Sequence, residues 1–277
     1  MIFQSCRLPT DNLGLNYPSR PCPTLLPSTY TTMTTSQAEQ LFSGLIGAEY
    51  DMLRVICPAA AEVSHRVGRR VAGWQPAYPV AGPLQAFEIG CGTGITTLAL
   101  LSSRVDLIVH AVDNEPTMLD QARVHLRDWL ESGRLSIEHT DALAGLRNLP
   151  SHSLDLVASG YAIHNFLQDY RRAVLAEILR VLKPGGLFVN GDRYGLDDTL
   201  EHTRLTQQEV RHWFKGFGEL GRLDLLESWV VHLFSDESPD HIMRLGDSLR
   251  LMEDLGFQSI AVDYRDGVNT LLAALAP

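Results

Sequence analysis

Short apolar segments alternate with amphipathic segments through residues 84–191, and this alternation restricts the fold more than any other feature of the sequence. Strands separated by helical segments form a parallel sheet whose crossover connections are right-handed. The pattern therefore predicts a doubly wound α/β sheet in one main domain. The expected strands lie near residues 84–90, 106–112, 134–140, 153–159 and 185–191, and the expected helices near 94–103, 115–131 and 168–182.

The rest of the chain divides by composition. Residues 1–35 are rich in Pro, Thr and Ser and predict a flexible tail, whereas residues 36–80 carry apolar side chains at helical spacing and predict an N-terminal helical cap. Residues 81–277 form the expected core. Within it, the stretch of about 196–238 predicts a helical insertion after the fifth strand. Two last strands should form a hairpin around Asp266-Gly267.

Charge and cysteine content exclude several classes of protein. A net charge of −10 offers no basic surface for a phosphate backbone, so no nucleic-acid partner is expected. The four cysteines are scattered without a C-x-x-C pair, which predicts free thiols in a reducing compartment. No apolar run is long enough to span a membrane, and no signal peptide is recognisable. We therefore expect a cytoplasmic protein, monomeric or homodimeric, with no membrane partner.

The stretch FEIGCGTGITTLAL, residues 87–100, places three glycines between a strand and a helix. Glycine allows the backbone to approach a ligand closely, and a helix N-terminus offers N–H donors there. The dinucleotide pattern G-x-G-x-x-G fails from both possible starts, which disfavours NAD. The motif present is E-x-G-x-G-x-G, formed by Glu88, Gly90, Gly92 and Gly94.

This motif resembles the first motif of class I S-adenosylmethionine (SAM) dependent methyltransferases. The resemblance extends in register through most of residues 84–192, including VHAVDNEPTML, IEHTDALAGLRNLP, SLDLVASGYAIHNF and VLKPGGLFVNGD. It implies SAM as cofactor and a seven-stranded, mostly parallel sheet of order 3-2-1-4-5-7-6 with strand 7 antiparallel. It also implies that Asp113 binds the ribose hydroxyls, that Asp141 binds the adenine amino group and that Tyr50 covers the cofactor.

The complete set of expected cofactor-binding residues is Tyr50, Glu88, Gly90, Cys91, Gly92, Gly94, Asp113, Asn114, Met118, Asp141, Ala142 and Ser159. Two of these have structural alternatives: Asp141 as a helix N-cap and Tyr50 as a core residue. The turn Lys183-Pro184-Gly185-Gly186 is interpreted as the end of a helix and a reversal of the chain.

Polar residues after the fourth and fifth strands are the candidates for the acceptor site, because both ligands of an open parallel sheet approach the carboxyl ends of its strands. His164 and Asp192 are the expected catalytic residues, with His164 as a possible proton acceptor or only a positioning group. A salt-linked loop is the alternative for the segment 192–194. The expected acceptor-binding residues are Tyr161, His164, Asn165, Arg193 and Tyr194. No metal is expected, since no His, Asp or Glu spacing indicates one.

These features predict a SAM-dependent methyltransferase acting on a small-molecule acceptor. An acidic chain with an aromatic insertion is better suited to a metabolite or natural product than to a macromolecule. Three alternatives remain open at this point: a protein or peptide methyltransferase, a nucleotide-dependent oxidoreductase, and a binding protein of the same fold without turnover.

Overall fold

The computed structural model describes residues 58–277 of the chain. The predicted tail, residues 36–57 of the predicted cap, and Tyr50 lie outside the described residues. In chain order the elements are α1 (Pro58–Ala72), β1 (Leu84–Ile89), α2 (Ile95–Ser103), β2 (Leu107–Asp113), α3 (Pro116–His125), α4 (Arg127–Glu131), β3 (Leu135–His139), α5 (Ala142–Arg147), β4 (Leu154–Gly160), a 3₁₀ turn (Ile163–Asn165), α6 (Gln168–Val181), β5 (Leu182–Arg193), α7 (Thr199–Glu219), α8 (Leu223–Asp236), α9 (Leu245–Leu255), β6 (Gln258–Asp266) and β7 (Asn269–Leu275).

Seven strands form one sheet in the order β3-β2-β1-β4-β5-β7-β6. Strands β1 to β5 pair in parallel, and β7 runs antiparallel to both β5 and β6. The central strand β4 is buried over nearly its whole length, as expected for a parallel strand covered on both faces. The predicted strand order and the antiparallel seventh strand are confirmed.

Helices cover both faces of this sheet because alternate side chains of each strand point to opposite sides. On β1, Phe87 and Ile89 belong to one apolar cluster, which also contains buried residues of α6 and α9. Ala86 belongs to the other cluster, together with buried residues of α1 and α2. Two separate cores thus hold the sheet between two helical layers, and the carboxyl ends of the strands stay free for a site.

Helix α1 packs closely against α2 and β5. A Cβ atom at Gly68 would come within 2.6 Å of the Ala99 carbonyl oxygen, and one at Gly191 would come within 2.6 Å of Val63. The Thr96 hydroxyl also donates a 2.8 Å hydrogen bond to Ser64. Residues 58–72 of the predicted cap are therefore part of a helical layer of the sheet.

The helical insertion predicted after the fifth strand is present as α7 and α8. Asp198 caps α7 by accepting hydrogen bonds from the backbone N–H groups of Leu200 and Glu201. The two helices share a small apolar cluster of their own, made of Trp213, Phe217, Leu225, Leu226, Trp229 and Leu233. This shared cluster holds α7 and α8 together as a unit.

Two local predictions differ from the structure. The helix expected over residues 115–131 is interrupted at Leu126, whose φ of −110° is outside the helical range and whose side chain turns inward. The segment Lys183–Gly186 lies within β5 as an irregularity, where the register with β4 shifts after Leu154 and Gly185 has a φ of +75°. Between Pro58 and Pro277, no helix combines the length and the apolar character needed to cross a membrane.

Candidate active site

The glycine loop lies at the carboxyl end of β1. Gly90, Gly92 and Gly94 have φ values of +66°, +53° and +92°, a region that side chains with a Cβ atom rarely adopt. A Cβ at Gly90 would also stand 2.3 Å from the Cβ of Ala162, and one at Gly94 would stand 2.6 Å from Leu126. Glycine is thus required for both conformation and space, and the loop presents backbone rather than side chains to the strand ends.

Asp113, at the end of β2, is hydrogen-bonded to this loop. One carboxylate oxygen accepts a 2.8 Å hydrogen bond from the N–H of Gly92, and the other accepts a 2.9 Å bond from the N–H of Glu115. Burial raises the pKa of Asp113, while the two backbone hydrogen bonds act in the opposite direction. The carboxylate is therefore held in one orientation beside the glycines.

A cleft opens between the glycine loop, Asp113 and the ends of β3 and β4. Ten of the residues predicted to bind a ligand line it: Gly90, Cys91, Gly92, Asp113, Asn114, Met118, Asp141, Ala142, Tyr161 and Asn165. The sequence interpretation missed other lining residues, among them Ser64, Thr96, Thr140, Phe166 and Tyr170. No motif marks these five, because they reach the cleft from α1, α2, the end of β3 and the segment around the start of α6.

Asp141 has the structural role considered for it, and it also lines the cleft. As the N-cap of α5, its Oδ1 atom accepts a 2.9 Å hydrogen bond from the N–H of Ala144. The same oxygen accepts a 2.8 Å hydrogen bond from the hydroxyl of Tyr170. Because Asp141 also lines the cleft, these hydrogen bonds hold its carboxylate in place at the wall of the cleft.

Three residues predicted to bind the cofactor are not among those lining the cleft: Glu88, Gly94 and Ser159. Ser159 is fully buried and donates a 3.1 Å hydrogen bond to the Ile89 carbonyl oxygen. Glu88 is fully buried as well, and its two oxygens have no hydrogen-bond partner among the described residues. Burial, with a contribution from the nearby Asp113 charge, raises the pKa of Glu88 to about 8.

On the other side of the cleft, Tyr161 and Asn165 follow β4. Tyr161 adopts a φ of +53°, and its hydroxyl donates a hydrogen bond to the side-chain oxygen of Asn269. The side-chain oxygen of Asn165 is buried and has no hydrogen-bond partner among residues 58–277. A buried acceptor left unpaired costs free energy unless a ligand or water pairs with it. Asn165 is thus suited to receive an N–H or O–H group in the cleft.

His164 and Asp192, the predicted catalytic pair, do lie together but not at the cleft surface. His164 Nδ1 lies 2.6 Å from one oxygen of Asp192, and the His164 backbone N–H donates to the other. Burial alone would lower the pKa of His164, but the carboxylates of Asp192 and Asp236 raise it overall. The His164 ring borders a separate small cavity that is also lined by Asp236.

The two remaining acceptor candidates are engaged within the protein. Arg193 forms ion pairs with Glu209 of α7 at 2.8 Å and with Glu237 at 3.0 Å, so the salt-linked alternative describes its contacts. These carboxylates raise the pKa of Arg193 although burial opposes the shift. Tyr194 is 3% exposed, and its hydroxyl accepts a 2.8 Å hydrogen bond from Asn190. Neither residue lines the cleft.

Comparison with known proteins agrees with the sheet and the glycine loop. Residues 87–190 match the family described as Methyltransferase domain. The chain is 35% identical to a demethylmenaquinone methyltransferase of Leptospira interrogans over 112 residues, which are 40% of the chain and 44% of that protein. It therefore spans less than half the length of this relative.

A carboxy-S-adenosyl-L-methionine synthase of Photobacterium profundum is 25% identical over 185 residues, which are 65% of the chain and 70% of that enzyme. Among solved structures, a SAM-dependent methyltransferase of Thermotoga maritima superposes with a TM-score of 0.55 at 15% identity, covering 87% of this chain and 100% of that one. An O-methyltransferase family protein of Burkholderia thailandensis gives a TM-score of 0.55 at 19% identity, covering 81% of this chain and 57% of its own.

Residues 87–190 thus carry a methyltransferase domain, and the sheet has the fold of the solved SAM-dependent methyltransferases. The matched residues run from β1 to β5 and include the glycine loop, Asp113 and Asp141. Helices α7 and α8 lie outside the match.

Proposed function

We propose that this protein is a SAM-dependent methyltransferase that transfers the methyl group of SAM to a small-molecule acceptor bound between the ends of β4 and β5. The observation that carries the proposal is the hydrogen bond from the Gly92 N–H to Asp113, which fixes a glycine loop and a carboxylate at one wall of a cleft. Bound SAM supplies a methyl group on a sulfonium that leaves as a neutral thioether.

The residues of the cleft fit this cofactor. Each oxygen of Asp113 already accepts one backbone hydrogen bond, and a carboxylate has about four lone-pair sites, so further hydroxyl donors such as those of a ribose can be accommodated. Asp141 keeps its second oxygen for an amino group. Gly90 and Ala162 pack against each other at the wall of the cleft, where a Cβ at position 90 would stand 2.3 Å from the Cβ of Ala162.

The acceptor half favours catalysis by positioning. Tyr161 and Asn165 line the cleft, whereas His164 lies behind them with its Nδ1 on Asp192. Holding the reacting atoms about 3–3.5 Å apart supplies much of the rate of a direct methyl transfer. His164 and Asp192 then fix the backbone that carries Asn165, so the proposed catalytic role of this pair is indirect in the geometry described.

A small acceptor fits better than a macromolecule. The insertion that covers this end of the sheet is held by an aromatic cluster, and the net charge of −10 does not attract anionic polymers. The free carbonyl-type oxygen of Asn165 favours an acceptor with an N–H or O–H donor. A single-domain monomer or homodimer in the cytoplasm remains our expectation for the working form.

The first experiment is calorimetric titration with SAM, S-adenosylhomocysteine and NAD. We expect both adenosyl-sulfur ligands to bind at least about a hundredfold more tightly than NAD, since the loop lacks the dinucleotide pattern. Tighter binding of NAD would overturn the proposal and favour the oxidoreductase alternative.

The second experiment combines methyl-labelled SAM with panels of small metabolites, peptides and proteins. Label in a small molecule, with S-adenosylhomocysteine formed in equal amount, supports the proposal, and label in a peptide would replace it with a protein methyltransferase. Because one relative is named a carboxy-S-adenosyl-L-methionine synthase, the cofactor is also weighed by mass spectrometry after turnover. A modified cofactor in place of S-adenosylhomocysteine would contradict methyl transfer, and absence of both products would favour a binding protein.

A further inference from the structure

A compact group of three side chains joins the insertion to the sheet. His164 lies in the 3₁₀ turn after β4, and His232 and Asp236 lie one turn apart on α8. The Nε2 atom of His232 is 3.4 Å from the Asp236 Oδ2 atom, and the Nε2 atom of His164 is 3.8 Å from the same oxygen. The three atoms all lie within 4.8 Å of one another.

From this geometry we propose that His164, His232 and Asp236 bind a divalent transition-metal ion of the zinc class. Ligands about 2.0–2.2 Å from a tetrahedral ion stand about 3.3–3.6 Å apart, so shifts of about an ångström would bring all three atoms into coordination. Two imidazoles and one carboxylate are a ligand set typical of zinc and of ferrous iron. Magnesium and calcium prefer sites made of oxygen atoms, and this site offers one carboxylate.

The second observation is the support behind His164. Its Nδ1 atom lies 2.6 Å from Asp192, which is fully buried and also accepts the His164 backbone N–H. Metal-binding histidines almost always donate their other ring N–H to a carboxylate or carbonyl group, which fixes the tautomer and points the free nitrogen at the ion. In this tautomer, Nε2 of His164 carries no proton, and its lone pair faces Asp236.

Local charge gives a third argument. The ionic groups around the site are four carboxylates and two guanidiniums, which leave two negative charges in excess before the histidines are counted. Asp192, Asp236 and Arg171 are buried, and Arg193, Glu209 and Glu237 are partly buried. A divalent cation at Asp236 neutralises this excess. Burying such charges without compensation is costly.

A third imidazole stands near the group. His241 is 4% exposed, and its Nε2 atom has no hydrogen-bond partner within residues 58–277. The charges of Asp236 and His164 both act on its ring. Three protein ligands leave one position of a zinc ion open, and His241, a water molecule or an oxygen of the acceptor is available for it.

No spacing in the sequence indicates this site, because His164 lies 68 and 72 residues from the pair on α8. Metal binding at this site would affect the structure of the cleft as well as its chemistry. The ion would tie α8 to the turn that carries Asn165, and the edge of the Tyr161 ring packs on His164 with ring centres 6.0 Å apart. Metal binding would therefore set the shape of the acceptor half and leave the cofactor half unchanged.

The test uses the full-length protein after removal of metal with a chelator, titrated with Zn²⁺ alone. We expect one ion per chain and a melting temperature about 5–10 °C higher at a hundredfold excess over the dissociation constant. Mg²⁺ should show neither stoichiometric binding nor a higher melting temperature. Co²⁺ should add visible absorption bands that Zn²⁺ abolishes by competition.

Four variants locate the ion. His232→Ala and Asp236→Ala should each abolish the stoichiometric binding. Asp192→Asn, which changes the hydrogen-bond partner of His164 Nδ1 without removing a proposed ligand, should weaken it about 10–100-fold. His212→Ala, an exposed histidine of the same insertion, should leave Zn²⁺ binding unchanged. S-adenosylhomocysteine binding is measured on each protein, because it reports an intact fold and tests the proposed function separately.

Zn²⁺ binding that is absent in the parent protein, or that persists in both His232→Ala and Asp236→Ala with the cofactor still bound, would overturn the metal site. The three side chains would then be an ion-pair cluster only. If a variant loses S-adenosylhomocysteine binding as well, His232→Gln replaces it, and retained stoichiometric Zn²⁺ binding in that variant likewise counts against the site.

Discussion

The two halves of the cleft are built in different ways. In the cofactor half, Gly90, Gly92 and Asp113 come from neighbouring strand ends and are joined by backbone hydrogen bonds. Behind the proposed acceptor half, His164 and Arg193, which do not line the cleft, are held by carboxylates of a helical insertion. Backbone geometry fixes the first half and buried charge fixes the second, so changes in the two halves should have separable effects.

The largest separable effect is expected for His164→Ala. Loss of its contacts with Asp192 and Asp236 should lower kcat by about 10²-fold or more, while the dissociation constant of S-adenosylhomocysteine stays within about twofold. The measurement is steady-state kinetics with the acceptor found by the labelled-SAM panel, together with calorimetry.

His212→Ala serves as the control for His164→Ala, since His212 is exposed on α7. A fall in cofactor affinity with unchanged kcat at saturating SAM would place His164 in the cofactor half and remove the separation. A rise in KM with unchanged kcat would limit its role to acceptor binding.

Glu88→Gln tests the buried strand β1 that carries the glycine loop of the cofactor half. Burial raises the pKa of Glu88 to about 8 from an ordinary value of 4.5, so the folded state keeps a proton that the unfolded state releases. The contribution of Glu88 to stability is therefore fully present below pH 4.5 and is lost as the pH rises towards 8. Glutamine removes this loss, and we expect it to stabilise the protein by about 3 kcal/mol at pH 7, at 1.36 kcal/mol for each unit of pKa.

Urea unfolding at pH 5, 7 and 8 measures this effect, with Glu131→Gln as the control because Glu131 is exposed on α4. The gap between Glu88→Gln and the parent should widen with pH. A gap that is constant or that narrows with pH would mean that Glu88 is ionised in the fold.

The sequence predicted much of the cofactor half because its signals are local. A glycine loop, the strand before it and the helix after it are contiguous, and Asp113 ends the next strand. The acceptor half depends on pairs such as Arg193 with Glu237, which lie 44 residues apart and leave no period or motif. The same reason explains the unforeseen burial of Glu88 and of Ser159: position in a motif does not reveal which face of a strand a side chain occupies.

Asp113→Ala should weaken cofactor binding by about tenfold to more than a hundredfold, because a hydrogen bond to a charged group contributes about 1.5–3 kcal/mol. The structure adds a second cause, since the Gly92 N–H also loses its partner. Calorimetry with S-adenosylhomocysteine measures the loss, and Asp128→Ala, an exposed acidic residue, is the control. Unchanged affinity in Asp113→Ala would show that the ribose is held elsewhere.

The smallest effect separates the two reasons for glycine at position 90. Alanine at Gly90 meets an unfavourable φ and also the Cβ of Ala162 at 2.3 Å, whereas alanine at Gly133 meets an unfavourable φ of +74° with no atom within 4 Å. Both changes should cost about 1–2 kcal/mol from the backbone, and Gly90→Ala should cost about 1–3 kcal/mol more from crowding. Urea unfolding measures the difference in the free energy of unfolding.

The double variant Gly90→Ala with Ala162→Gly is the control. It should recover the free energy lost to crowding and none of that lost to the unfavourable φ. If Gly90→Ala lowers the free energy of unfolding no more than Gly133→Ala does, the loop adjusts to the added Cβ without loss of stability. Backbone geometry would then not fix the cofactor half, and the contrast with the acceptor half would fail.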